Sequence, residues 1–162
     1  MAIKIFVTGG SFDKEYDEIE EKLLFKDTRI PEILKRSRCG VEVDIRTLML
    51  VDSLDITFAD RAVIVENCKN AKEDKIIITH GTSTMSETAK AIGQAKLENK
   101  TIVLTGAMIP YKLGKSDAMF NLGTALAFVQ ALPPGVYVAM NGRCFNWYNV
   151  KKNEKLGVFE EL

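Results

Sequence analysis

The stretch KIIITHGTSTMSETAKAIGQAK (residues 75–96) carries the pattern that decides the fold. Residues 75–78 form a short β-branched run, which is typical of a buried strand. After a polar loop at residues 79–84, apolar side chains recur at helical spacing, at Met85, Ala89 and Ile92. A strand that leads through a short loop into an amphipathic helix is the repeating unit of α/β proteins.

The same alternation runs along most of the chain. Strands are predicted at residues 3–7, 41–49, 75–78, 101–104 and 136–140. Crossover helices are predicted over residues 57–72, from residue 84 onward and over residues 119–131, with Asp55 or Thr57 as the cap of the first. We therefore expect an α/β fold in which an open, doubly wound, mainly parallel sheet carries helices on both faces.

Composition excludes several classes of protein. The 162 residues suit a single domain, and 22 Lys+Arg balance 22 Asp+Glu, so no basic surface for nucleic acid or membrane is indicated. No apolar stretch reaches the length of a spanning helix or a secretory signal, which predicts a cytoplasmic protein. Three widely spaced cysteines indicate neither a disulfide framework nor a zinc site.

Small polar residues follow the predicted strands at residues 8–11, 52–53, 79–84 and 105–108. In a doubly wound sheet, the carboxyl ends of such strands converge on one crevice where ligands bind. Glycines and helix starts would present backbone N–H groups there, which suits an anionic group or an oxyanion. Because hydroxyls outnumber charges, we expect carboxylate binding and acyl transfer through Ser or Thr, with no metal and no cofactor.

Three longer motifs carry a family resemblance. TGGSFDKEY (residues 8–16), VDSLDIT (51–57) and THGTSTMSETA (79–89) are followed in order by LTGAMIP, SDAMFNL, VAMNGR and NVKKN. This succession resembles the bacterial-type L-asparaginase family, and in particular its larger N-terminal domain. The resemblance covers nearly the whole chain, and so many ordered motifs are far more specific than a single glycine pattern.

The resemblance implies two-step hydrolysis of a side-chain amide. Carried over by position, Ser11 would be the nucleophile and Tyr16 its partner, while Thr82 with Lys152 would form the second catalytic group. Ser53 would hold the substrate α-carboxylate. The sequence leaves open whether Ser11 or Thr82 attacks first.

Elementary chemistry adds roles for the neighbouring groups. A hydroxyl needs a group that takes its proton, and a buried lysine can be shifted toward its neutral form, so Lys152 is the expected base. Backbone N–H groups near Gly10, Thr82 and Ala107 are expected to stabilise the oxyanion. The substrate would be L-asparagine or a related small amide, hydrolysed to the acid and ammonia.

Ser83 departs from the family pattern. It stands where the family has an acid that grips the substrate ammonium, and replacing a charge-assisted hydrogen bond by a neutral one should raise KM by roughly tenfold or more. An alternative function is therefore a non-catalytic binding or sensing module for amino acids or amides. The family's smaller C-terminal domain has no counterpart here, so residues 1–162 are expected to act as one domain that closes its crevice as a homo-oligomer, a dimer or larger.

Four local predictions complete the analysis. His80 is expected to be a hydrogen-bonded residue at a strand end and not a catalyst. One of the neighbouring lysines Lys151 and Lys152 should turn inward while the other stays solvated. Residues 13–18 are expected to form a mobile flap that delivers Tyr16, and the tail after Lys155 to pack on a neighbour.

Overall fold

Strands and helices alternate through most of the chain, as predicted. The structure, a computed structural model, describes residues 1–162. The strands are β1 (Ile3–Gly9), β2 (Lys14–Asp17), β3 (Lys22–Phe25), β4 (Val43–Val51), β5 (Lys75–Thr79), β6 (Thr101–Thr105), β7 (Gly135–Met140), β8 (Arg143–Asn146), β9 (Lys151–Asn153) and β10 (Val158–Glu160). The helices are α1 (Ile30–Arg36), α2 (Phe58–Asn70), α3 (Met85–Gln94) and α4 (Ala118–Ala131).

The central sheet has six strands in the order β4-β1-β5-β6-β7-β8. The first five are parallel to one another, and β8 pairs antiparallel with β7. The chain moves outward from β1 to β4 and then returns to the other side of β1 as β5. The strand order therefore reverses between β1 and β5, which is the point where open α/β sheets bind their ligands.

Two hydrophobic cores cover the two faces of the sheet. Along β5, Ile76 and Ile78 pack with residues of α2 and α3, whereas Ile77 packs with residues of α4. Side chains of a strand alternate between faces, so one β-branched run serves both cores, and burying each isoleucine contributes about 1.5–3 kcal/mol. The predicted doubly wound architecture with helices on both faces is confirmed.

Helix α2 begins at a capping box. The Thr57 side chain accepts a hydrogen bond from the Asp60 N–H (3.1 Å), and the Asp60 carboxylate accepts one from the Thr57 N–H (2.8 Å). Two N–H groups that the first turn leaves unpaired are thereby satisfied, so Thr57 and not Asp55 is the cap. None of the four helices, of which α4 is the longest at 14 residues, has the length and apolarity of a bilayer-spanning segment.

Two hairpins were not predicted as regular structure. Strands β2 and β3 pair antiparallel and turn residues 14–25 into a hairpin, where only a flap was expected. At the other end of the chain, β10 pairs with β9, and Phe159 is buried in the core beside β7. The tail thus contributes Phe159 to the core of its own chain, and its packing on a neighbour stays a prediction.

Candidate active site

The loops after β1 and β5 touch at the point where the strand order reverses. A Cβ atom added at Gly10 would lie 2.4 Å from Cα of Gly81, and one added at Gly81 would lie 2.5 Å from Cβ of Ser53. Ordinary contacts of a Cβ begin near 3.4 Å, so neither position has room for a side chain. The loops around Gly10, Ser53 and Thr82 therefore meet at one place at the carboxyl ends of the strands, where the crevice is predicted.

The turn that carries Ser53 is fixed by the loop after β5. The Ser53 hydroxyl accepts a hydrogen bond from the Thr84 N–H (3.3 Å), and the Thr84 hydroxyl donates to the Ser53 carbonyl (2.7 Å). Ser53 is buried, with 2% of its surface exposed. Beside it, Asp52 pairs with Lys14, which ties the β2–β3 hairpin to this turn.

Lys152 reaches the crevice from β9. Its Nζ donates a hydrogen bond to the Thr82 hydroxyl at 2.8 Å, across 70 residues of chain. Lys152 lies opposite Phe159 in the β9–β10 pair, so both side chains point to the same side, and the Lys152 side chain is 10% exposed against 51% for Lys151. The prediction that one of these lysines turns inward is confirmed.

A carboxylate also lies beside Lys152. Glu154 Oε2 is 3.6 Å from the lysine Nζ, and the glutamate side chain is 69% exposed. Ser83, which stands at the position of the family acid, is exposed. Lys152 thus has an acidic neighbour, Glu154, within the β9–β10 hairpin. Solvent weakens the attraction between the two, because Glu154 is exposed.

Ser11 begins a short 3-10 turn (Ser11–Asp13) directly after Gly10, whose φ of 77° and ψ of −178° direct the chain from β1 into that turn. Ser11 is half-buried. Tyr16 lies on β2 opposite Leu23 and is 50% exposed, and its hydroxyl makes no hydrogen bond within the chain. The roles of Ser11 as nucleophile and Tyr16 as its partner stay predictions.

Asp13 anchors the open end of the hairpin, where β2 begins and β3 ends. Its Oδ1 accepts hydrogen bonds from the Thr28 hydroxyl (3.0 Å) and the Arg29 N–H (2.8 Å), whereas its buried Oδ2 has no partner. Burial raises the pKa of Asp13 to about 6 from the usual 3.8, more than these hydrogen bonds lower it. A titratable group therefore sits between Ser11 and Tyr16.

The loop after β6 packs against the loop after β5 at the same place. A Cβ at Gly106 would lie 2.3 Å from the His80 carbonyl oxygen, which brings the backbone before Ala107 against the strand that ends at Thr79. Ala107 itself is buried, with 1% of its surface exposed. The Met108 N–H donates to Asp117 at 2.9 Å and holds the loop over the start of α4.

His80 lies beneath the loop and is fully buried. Its Nδ1 is 2.7 Å from the Gly81 carbonyl, and its Nε2 is 2.7 Å from the Thr88 hydroxyl. Burial lowers the pKa of His80 to about 4, so the ring is neutral at pH 7. The prediction that His80 is a hydrogen-bonded residue at a strand end is confirmed.

Comparison with known proteins identifies the family. The family model described as "Asparaginase, N-terminal" matches residues 2–159. The chain belongs to the asparaginase family. Among curated relatives, an L-asparaginase of Thermococcus kodakarensis is 32% identical over 163 residues, which cover 98% of this chain and 49% of the relative.

Solved structures of asparaginases share the fold. The thermostable L-asparaginase from Thermococcus kodakarensis superposes with a TM-score of 0.86 at 28% identity and covers 100% of this chain and 51% of its own. L-asparaginase I from Vibrio cholerae gives 0.87 at 25% identity, over 99% and 51%. A probable cytoplasmic L-asparaginase from Campylobacter jejuni gives 0.84 at 26%, over 99% and 52%. The chain thus spans about half the length of the asparaginases it matches.

Sequence reasoning missed three features of this asparaginase-family site. They are the Lys14–Asp52 pair, the Glu154 carboxylate beside Lys152, and the bond from Thr88 to His80. Lys14 and Asp52 lie 38 residues apart, and no local pattern marks such a pair. The helical spacing of residues 84–92 does place Thr88 on the same face as the apolar Met85. This spacing was the one sequence signal that Thr88 faces the core, where His80 lies.

Proposed function

We propose that this chain hydrolyses the side-chain amide of L-asparagine or a related small primary amide to the acid and ammonia. The observation that carries the proposal is the 2.8 Å contact between Lys152 Nζ and the Thr82 hydroxyl, beside the loop that presents Ser11. A hydroxyl bonded to a lysine amine, close to the Gly10–Gly81 contact that precedes Ser11, is a suitable arrangement for acyl transfer.

In the proposed reaction, the Ser11 hydroxyl oxygen attacks the amide carbon, its proton passes to the Tyr16 oxygen, and the Tyr16 hydroxyl gives its own proton to the amide nitrogen. The carbon–nitrogen bond breaks, ammonia departs, and an ester to Ser11 is left. Thr82 and Lys152 then activate water for attack on the ester carbon, the water proton passes by way of these groups to the Ser11 oxygen as the carbon–oxygen bond breaks, and the acid is released. The reverse order, with Thr82 attacking first, uses the same groups.

Substrate binding is assigned to the rest of the crevice. Ser53 would hold the substrate carboxylate, while backbone N–H groups near Gly10 and Ala107 would stabilise the oxyanion. Ser83 would contact the amino-acid end of the substrate through a neutral hydroxyl. The burial of Ser53 and its bonds to Thr84 support this assignment, because the serine is held in one orientation.

We also propose that residues 1–162 act as one catalytic domain in a cytoplasmic homo-oligomer, a dimer or larger. Leu54, which follows Ser53, and Phe58, which begins α2, are 75% and 90% exposed. Large apolar side chains beside a binding site favour coverage by another subunit. The cytoplasmic location is supported by the likeness to the Campylobacter jejuni protein. Light scattering tests the assembly, and a monomer at micromolar concentration contradicts it.

The test of the activity is ammonia release from asparagine, glutamine and a panel of small amides. Lys152→Met should lower kcat by about 100-fold or more, since proton transfer by a positioned group contributes about 10²–10⁴-fold. Lys151→Met is the matched control on the same strand and should stay near wild type. Absent turnover with measurable amino-acid binding would favour the sensing module, and an active Lys152→Met would remove the lysine from the mechanism.

A further inference from the structure

A chain of hydrogen bonds runs beneath the Gly81–Thr82 loop. Arg61 Nε on α2 donates to the Thr88 hydroxyl on α3 at 3.0 Å, and that hydroxyl is 2.7 Å from His80 Nε2. His80 Nδ1 in turn is 2.7 Å from the Gly81 carbonyl oxygen. His80 and Thr88 are both fully buried, so water does not compete for these bonds.

The donors and acceptors of this hydrogen-bond network follow from their chemistry. A carbonyl oxygen only accepts, so the contact with Gly81 places the ring proton of His80 on Nδ1. Nε2 of the neutral ring is then an acceptor, and the Thr88 hydroxyl donates to it. A guanidinium N–H only donates, so the same hydroxyl accepts from Arg61. The lowered pKa of His80 agrees with a neutral ring.

Holding the Gly81 carbonyl also orients the Thr82 N–H. The two groups belong to one trans peptide, in which C=O and N–H point in opposite directions. Because the carbonyl is turned toward the His80 ring, the N–H is turned away from it. No group of the chain accepts a hydrogen bond from the Thr82 N–H, and the Thr82 side chain lies against Lys152.

We propose that His80 is a positioning residue that directs the Thr82 N–H at the oxyanion of the reacting amide, its ring held between the Gly81 carbonyl and the Thr88 hydroxyl. This inference rests on the proposed amide hydrolysis. A donor fixed in direction before the reaction needs no rearrangement as charge develops, which is the basis of oxyanion stabilisation. His80 itself touches no reacting atom.

The kinetic test removes the Thr88 hydroxyl and keeps the shape of its side chain. Thr88→Val should lower kcat by about tenfold to 100-fold while KM stays within about threefold, because an oxyanion donor acts in the transition state. Thr88→Ser restores the hydroxyl and should restore kcat. Thr101→Val is the matched control, since Thr101 is also buried, begins β6 and lies at the opposite end of the sheet.

The structural test reads the tautomer directly. His80 is the single histidine of the chain, so the ring ¹⁵N resonances need no assignment. We expect the Nδ1–H form in the wild type and in Thr88→Ser, and a shifted Nε2 resonance in Thr88→Val, because that nitrogen loses its donor. Thr88→Ala, which also removes the hydroxyl, supplies the same reading if Thr88→Val does not fold.

The outcomes separate this inference from the proposed function. An Nε2–H tautomer in the wild type, or an unchanged kcat in a folded Thr88→Val, overturns the positioning role while amide hydrolysis stands. A wild type that releases no ammonia from any amide removes the proposed function and with it the oxyanion role. The tautomer then still decides whether His80 orients the Gly81–Thr82 peptide.

Discussion

Gly10→Ala is the most direct test of the contact between the loop after β1 and the loop after β5. An added Cβ would lie 2.4 Å from Gly81 Cα and 2.5 Å from Gly81 N. Reaching an ordinary separation of 3.4 Å requires a displacement of about 1 Å, and both atoms in the way belong to the backbone. The substitution therefore moves the Ser11 loop away from the loop that carries Thr82.

The expected loss of stability in Gly10→Ala has two parts, backbone strain and overpacking, and Gly114→Ala measures the first of them alone. Gly10 has φ 77° and ψ −178°, and Gly114 has nearly the same conformation, φ 73° and ψ 166°, but nothing within 4 Å of an added Cβ. This backbone conformation destabilises each alanine variant by about 1–3 kcal/mol. Overpacking destabilises Gly10→Ala by about 1–3 kcal/mol more.

Thermal unfolding and ammonia release test this reasoning together. For a chain of this length, 1 kcal/mol shifts Tm by about 2–4 °C, so Gly10→Ala should melt about 2–12 °C below Gly114→Ala. A displacement of about 1 Å between reacting groups lowers kcat/KM by about 100-fold, whereas Gly114→Ala should keep its activity. Equal Tm values for the two variants, or full activity in Gly10→Ala, would refute the idea that the Gly10–Gly81 contact sets the position of the Ser11 loop.

Three further predictions concern charge. Because the pKa of Asp13 is raised in the folded state, protonated Asp13 adds up to about 3 kcal/mol to the free energy of unfolding below about pH 4, and this contribution is lost as the pH rises through about 6. Urea unfolding at pH 4 and pH 7 should therefore show a smaller decline for Asp13→Asn than for the wild type. Ser83→Asp should lower KM for asparagine by roughly tenfold, and an unchanged or higher KM would contradict the missing-anchor argument. Lys14→Met should raise KM by about two- to fivefold, because it breaks a half-exposed pair with Asp52 that holds the hairpin, whereas Lys22→Met on the exposed side of that hairpin should leave KM unchanged.

The sheet could be predicted because its signals are local. The strand at residues 75–78 is a run of apolar β-branched residues, and the helix after it repeats at a regular spacing, so each element is marked by its own residues. The convergence of Gly10, Ser53 and Thr82 then follows from topology, since parallel strands end at the same edge. Their observed contacts agree with this prediction.

The hairpins could not be predicted because long-range contacts stabilise them. Strand β9 has three residues, which is too short for any period, and it is held by pairing with β10 and by the burial of Phe159. The turn into β2 depends on Asp13 bonding to Thr28 and Arg29, which lie 15 and 16 residues away. Family resemblance assigned Lys152 a role, yet only the β9–β10 pairing explains why it points inward.

The shape of the site depends on backbone packing more than on ion pairs. Gly10, Gly81 and Gly106 each lie too close to a neighbour to carry a side chain, and together they bring the loops after four strands, β1, β4, β5 and β6, into contact. The ion pairs nearby have at least one well-exposed partner, and such pairs contribute about 0–1 kcal/mol. Removing a charge should therefore change binding and proton transfer while the crevice keeps its shape, whereas a single methyl group at Gly10 should deform the crevice itself.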